Sequence, residues 1–373
     1  MRLALLIGTS LLAGCSWFSA PSGPRPAELP ELAAAREVRV LWSARVGDAG
    51  RFAFAPARVG DAVYAGARDG TVTRLDAASG AERWSQSVER KLSGGVGADA
   101  RTVAVATEEG EVIALEASSG KPRWRARVSS EVLAAPAVGE GLVVVRSLDN
   151  RIFAFDERDG KRRWVYQRAP ASLIVRTPAG VSLSGDMAFA GFSGGKLVAL
   201  SLADGNVRWE ATVAVPRGAT ELERVSDVVG EPAVQGREVC AAAYQGRVAC
   251  YEAANGRQVW ARELSSITGV SLDARYAFVS DERGGVHALD RSNGRSVWKQ
   301  DRLSYRQLSV PVGGASEVAV GDFEGYVHFL ARESGAFVAR YATGGGAVRV
   351  PPTPLASGVL VQTQDGGLYV LGL

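Results

Sequence analysis

Short runs of alternating or continuous apolar residues, each closed by a glycine-bearing turn, recur from about residue 60 to the end of the chain. This period-two pattern predicts strands rather than helices. The segments VYAGARDGTVTRLDAASGAERW, VAVATEEGEVIALEASSGKPRW and VVVRSLDNRIFAFDERDGKRRW show the unit: strand, tight turn, strand, turn, strand. Anchored on the first turn, the units fall at Gly70, Gly110, Asn150, Gly195, Gly246, Gly284, Gly325 and Gly366. Asn150 fits because asparagine also tolerates the left-handed backbone region. Five residues on stand Leu75, Leu115, Phe155, Leu200, Tyr251, Leu289, Leu330 and Leu371, which mark a buried inner strand. Ten residues on stand Gly80, Gly120, Gly160, Gly205, Gly256, Gly294 and Gly335; fourteen on stand Trp84, Trp124, Trp164, Trp209, Trp260 and Trp298, with Ala339 the one departure. So fixed a register is the mark of a repeat architecture.

The eighth unit stops at Leu373, short of its outer strand and its tryptophan. The missing piece stands at the other end, where Val38 to Val46, with Trp42, reads as an outer strand that has no preceding unit. Pairing the two ends gives an all-β, eight-bladed β-propeller of four-stranded antiparallel blades, closed so that no sheet edge stays free. The tryptophans are predicted to wedge between neighbouring sheets. Their pattern, an acidic or small residue, three positions, Gly, three positions, Trp, resembles the tryptophan-docking motif of pyrroloquinoline-quinone (PQQ) repeats over nearly all of residues 38–373. That likeness concerns the fold and not the activity.

Composition narrows the chemistry. Of 373 residues 46% are hydrophobic and 22% charged, enough apolar material for a large core, and 44 glycines suit many tight turns. A formal charge of +3 from 43 bases and 40 acids, with no basic run longer than Lys161-Arg162-Arg163, excludes a nucleic-acid footprint. Three cysteines and two histidines leave little for a zinc site, a haem or a Cys/His catalytic centre. A quinone-dependent dehydrogenase on this repeat should show adjacent cysteines, a catalytic Asp with calcium ligands, or a Cys-x-x-Cys-His haem site. The sequence shows none of these, so no enzyme and no cofactor is expected. Cys240 and Cys250 flank the Gln245-Gly246 turn symmetrically, and a cross-strand disulfide or two buried thiols both fit. His287 and His328 share one repeat position in successive units and read as strand residues.

The N-terminus reads as an address. Arg2 precedes the apolar run Leu3 to Leu12, too short to span a membrane but suited to an export signal. Leu12-Ala13-Gly14-Cys15 resembles the bacterial lipobox, which implies cleavage after residue 14 and lipidation of Cys15; Ser16 in place of Asp favours the outer membrane. Pro21, Pro24, Pro26 and Pro30 give the stretch that follows the character of a semi-extended tether. The predicted organisation is a signal at 1–14, a lipidated Cys15 with its tether at 15–37, and one propeller at 38–373.

Breaks in the repeat are informative. The distance from each tryptophan to the next first turn is 24 to 28 residues, except after Trp164, where it is 31, and after Trp209, where it is 37. Strand alternation puts both long connections on one face, and neighbouring long loops on a rigid ring are a usual place for a binding site. The first contains Leu173-Ile174-Val175-Arg176, unless that run is the next blade's first strand. The second contains Thr220 to Asp227, where Thr-x-x-Glu matches a capping box and a plain surface loop is the alternative.

Lipobox, Pro-rich tether, eight PQQ-like units and the Glu-Leu-Glu-Arg-Val-Ser-Asp loop together resemble the BamB family, propeller lipoproteins of the bacterial outer-membrane β-barrel assembly (BAM) machinery. The resemblance spans the whole chain. It implies a non-catalytic scaffold on the periplasmic side of the outer membrane, anchored by lipid. Its implied partners are the POTRA domains of BamA, other BAM subunits and unfolded outer-membrane proteins. It also implies a partner-binding surface of Leu173, Val175 and Arg176 from one loop and Glu221, Arg224 and Asp227 from the other. The family's second acidic residue falls here on Val229, which weakens the acidic half of that surface. Arg176 has two candidate partners, Asp227 across the loops or an acid on the bound protein. A quinoprotein dehydrogenase or a ligand-sensing propeller on the same repeat is the rival expectation.

Overall fold

A computed structural model describes residues 24–32, 35–169 and 173–373. The signal, the lipobox with Cys15 and the beginning of the tether lie outside the described residues. Eight four-stranded antiparallel sheets follow one another along the chain, at residues 57–87, 92–127, 137–167, 181–212, 228–263, 270–300 and 312–342, with the eighth built from 353–372 and the strand Arg39–Arg45. The N-terminal strand pairs with Gly367–Gly372 from Arg39 opposite Gly372 to Arg45 opposite Gly367. The ring is therefore closed as the two incomplete units require. The bulge between Val40 and Trp42 sets Trp42 opposite Val370, the same offset from the turn at which Trp164 meets Ala154 in the third blade.

The repeated Trp and Gly are two halves of one contact between blades. Gly160 has a left-handed φ of 70°, and a Cβ placed on it would lie 2.6 Å from the ring of Trp124. Only glycine permits both the turn and the flat approach of the indole. The indole N–H donates to the Glu157 carbonyl at 2.8 Å, and the same bond recurs from Trp42 to Ala77, Trp164 to Leu202 and Trp298 to Arg332. Each blade is thereby fastened to the next. Ala339 breaks the series for a topological reason: in the eighth blade the corner that would supply the docking glycine is open, lying between the strand that finishes at Gly372 and the strand that starts at Arg39. Ala339 is fully buried there, in a cluster that Val38 and Leu373 pack against.

The first-turn carbonyls fix which loops share a face. Gly70 accepts the Val88 N–H at 3.0 Å, Gly110 that of Val128 at 2.8 Å and Gly195 that of Val213 at 2.8 Å. Each link between blades thus leaves beside that turn, and all links emerge on one side, called here the connection face. In the fifth blade the left-handed residue is Gln245 rather than Gly246.

Cys240 and Cys250 stand directly opposite on neighbouring strands of the fifth blade and form a disulfide in the blade's interior. The two histidines are repeat-encoded strand residues, each holding the aspartate of its own turn, His287 with Asp281 at 2.8 Å and His328 with Asp322 at 3.0 Å.

One segment departs from its reading as a tether. Residues 24–32 are laid onto the sixth and seventh blades: the Ala27 N–H donates to the Ser304 carbonyl, Arg306 and Arg340 donate to the carbonyls of Ala27 and Pro30, and Leu29 packs against the local core. Two arginines aimed at its carbonyls, Arg306 buried and Arg340 partly so, give this proline-rich stretch the partners that its own sequence lacks.

Candidate docking surface

Both long connections lie on the connection face, between the third and fourth and the fourth and fifth blades. From Leu173 the first runs as a loop up to Val181, where the fourth blade begins, so Leu173 to Arg176 are not its first strand. Leu173 and Ile174 are exposed by 46% and 38%. Val175 is half-buried, and its N–H donates to Asp227 Oδ2 at 2.6 Å.

That bond joins the loops. Asp227 lies beneath them, nearly buried, with Oδ1 accepting the Gly194 N–H at 3.3 Å. Burial pushes its carboxyl above the usual range, opposed by the two backbone donors and by the charge of Arg146. With both oxygens turned to backbone amides, Asp227 is not the partner of Arg176. Arg176 instead sets Nη2 on both oxygens of Glu131, at 2.7 and 2.5 Å, in the link before the third blade. The pairing of Arg176 with Asp227 is therefore corrected: the acid that holds Arg176 comes from a third loop.

The second loop realises the capping box on a single turn. The Glu223 carboxylate accepts the N–H groups of Ala219 and Thr220 at 2.7 and 3.1 Å, and Thr220 Oγ1 accepts the Glu223 N–H at 3.3 Å. The hydrogen bonds from Thr220 and Ala219 hold the Glu223 carboxyl below its usual range. Arg224 closes the turn by donating Nε–H to the Gly218 carbonyl at 3.1 Å. The turn leaves Glu221 and Arg224 exposed and lifts Leu222 to 73% exposure. Val229 is buried in the fifth blade opposite Ala242, where a carboxylate would be desolvated without a partner.

Between the loops lies a small pocket open to solvent, whose lining includes Arg146, Asn150, Ile174, Val175, Ser193 and Asp227. The structure thus brings together Leu173, Val175, Arg176 and Asp227, and sets Glu221 and Arg224 on the adjoining turn. Ile174, Leu222, Glu131 and Arg146 belong to the same surface and were not singled out from the sequence. Ile174 and Leu222 stand inside the two runs that were, whereas Glu131 lies in a link of ordinary length that carries no signal. Exposed aliphatic side chains rimmed by held charges suit contact with another protein. Among the described residues no three His, Cys, Asp or Glu side chains converge as a metal site.

The comparisons agree with this architecture. A family model described as "Outer membrane protein assembly factor BamB" matches residues 68–300. The outer membrane protein assembly factor BamB of Bordetella pertussis is 46% identical over 369 residues, covering 98% of this chain and 95% of that protein. The crystal structure of BamB from Moraxella catarrhalis superimposes with a TM-score of 0.82 at 28% identity, over 90% of this chain and all of the other. A quinohemoprotein alcohol dehydrogenase of Pseudomonas putida HK5, at TM-score 0.70 and 13% identity over 88% of this chain and 72% of its own, shares the fold alone. With the closed eight-bladed ring and its two long loops in view, the chain belongs to the BamB family of outer membrane protein assembly factors.

Proposed function

We propose that this protein is a non-catalytic scaffold lipoprotein of the BAM complex. It binds the POTRA domains of BamA through the two long loops, and lipid on Cys15 holds it at the inner leaflet of the outer membrane, facing the periplasm. The observation that carries this reading is the juxtaposition of exposed Leu173, Ile174 and Leu222 with the charges of Arg176, Glu221 and Arg224 on one face of a rigid ring. The buried Cys240–Cys250 disulfide suits an oxidising compartment such as the periplasm. Apolar contact would supply most of the affinity, and the rim charges would set orientation.

The test is isolation of the native complex in mild detergent, with wild-type protein and with Arg176→Glu. The variant exchanges the ion pair with Glu131 for two like charges, a small cost at a loop position where Arg176 itself is half exposed. Loss of co-purifying BamA with an unchanged thermal melt is the expected result, and undiminished BamA would remove the assigned surface. The rival, a quinoprotein on the same fold, predicts a bound chromophore after addition of pyrroloquinoline quinone and calcium; the scaffold predicts none.

A further inference from the structure

Arg146 occupies a place where the other seven units carry an uncharged residue, small in all but Gln362. Four residues before the first turn the eight units carry Gly66, Ala106, Arg146, Gly191, Ala242, Ser280, Gly321 and Gln362. A guanidinium on the second strand of a blade, flanked by Val145 and Ser147, is costly to desolvate unless its donors are met.

They are poorly met. Nη1 reaches the Ala179 carbonyl at 3.3 Å and Nη2 the Asn150 Oδ1 at 3.5 Å, while Nε is shut off from solvent with no acceptor. Asp227, across the pocket, is committed to the amides of Val175 and Gly194 and makes no hydrogen bond to the guanidinium. The ring of Phe192 lies 5.2 Å from the guanidinium carbon and helps to fix its plane. A planar, oriented cation whose two Nη groups each carry a second N–H is the counterpart of a carboxylate, which accepts two parallel N–H bonds. The pocket in front of it suits a side chain rather than a length of peptide, and its wall includes Leu133, Ile174 and Val175.

We propose that this pocket receives an acidic side chain presented by the docked partner, seated on the guanidinium of Arg146. The inference rests on the docking reading above and deepens it: Leu173, Ile174 and Leu222 give apolar contact around the mouth, and Arg146 reads one carboxylate within it. Because Glu131 already occupies Arg176, Arg146 is the guanidinium in this pocket with hydrogen bonds left to give.

The experiment captures the partner's POTRA domains on the full-length protein and compares wild type with Arg146→Gln. Capture should weaken about tenfold or more, the effect of losing a charge-assisted pair, with an unchanged melt. A second arm needs no substitution: glutarate at tens of millimolar should displace the partner from wild type beyond what sodium chloride of equal ionic strength does. Full capture by a folded Arg146→Gln, or glutarate acting no better than chloride, would overturn the pocket while leaving the docking surface standing. Failure of wild type to capture the domains at all would instead remove the docking reading, and the pocket's occupant with it.

Discussion

Arg340 donates its Nε–H to Nδ1 of His328 at 3.2 Å, while the opposite ring nitrogen meets Asp322 at 3.0 Å. An imidazole that accepts at one nitrogen and donates at the other is neutral, and a proton on Nδ1 would abolish the first bond beside a fixed cation. Burial, assisted by the charges of Arg340 and Arg306 and opposed by Asp322, accordingly holds the His328 pKa below its usual value. The unfolded chain therefore binds the proton more readily than the folded one. Stability should be full above about pH 6.5 and should fall as the pH drops from there toward the lowered folded value. Asp322 is held below the carboxylate range, so its contribution is lost only near and below about pH 3.8, a separate window. Urea melts at pH 5 and 7.5 should show a smaller difference in His328→Gln than in wild type. Equal differences would mean that another group titrates.

Two glycines separate backbone strain from packing. Gly141 has a φ of 75° and open space where a Cβ would stand, whereas at Gly160, with φ 70°, the Cβ would meet the Trp124 ring. Gly141→Ala should cost about 1–2 kcal/mol for the left-handed conformation alone. Gly160→Ala should add roughly 1–3 kcal/mol for displacing the indole, which also weakens its bond to Glu157. Denaturation midpoints give the comparison, and equal losses would show that the tryptophan contact between blades does not contribute to stability.

The disulfide closes a ten-residue interval on adjacent strands. In the chain-entropy account, releasing a loop of that size removes about 2.7 kcal/mol. The double variant Cys240→Ala with Cys250→Ala should lose roughly that much in urea and should become indifferent to reductant. A wild-type protein whose stability in urea is the same with and without reductant would contradict a bonded pair.

The repeat made nearly all of the ring legible, because strand period, turn glycines and Trp–Gly docking are local signals repeated at fixed spacing. Even the exception at Ala339 follows from the seam at which Arg39–Arg45 joins Gly367–Gly372. The loops were legible only as places. Their lengths marked the face, and the capping box of Thr220 and Glu223 marked one turn, but the partner of Arg176 is Glu131, 45 residues away in a link of normal length. Pairings between loops of different blades are set by the ring's closure, which no local pattern records. Arg146 is intermediate: the repeat register exposes it as a misplaced charge once its column of neutral residues is read down the chain.

Arg306 ties the N-terminal segment to the ring. It is almost wholly buried, donates Nε–H to Asp322 at 2.7 Å and Nη1–H to the Ala27 carbonyl at 3.1 Å, and pairs with Glu324. Asp322 is fully buried, so removing the guanidinium leaves a carboxylate supported only by His328 and backbone donors. Breaking such a pair costs about 3–5 kcal/mol, whereas Glu324, half exposed, belongs to the class of surface pairs that contribute about 1 kcal/mol or less. Arg306→Met should therefore both destabilise the propeller and loosen residues 24–32, and Glu324→Gln should do neither. Hydrogen exchange at the Ala27 amide, which donates to Ser304 at 2.8 Å, reads the second effect directly. Rapid exchange in Arg306→Met but not in Glu324→Gln is expected. Equal protection in all three proteins would show that the segment stays on the blades without the arginine, held by Leu29 and by the Arg340 bond to Pro30.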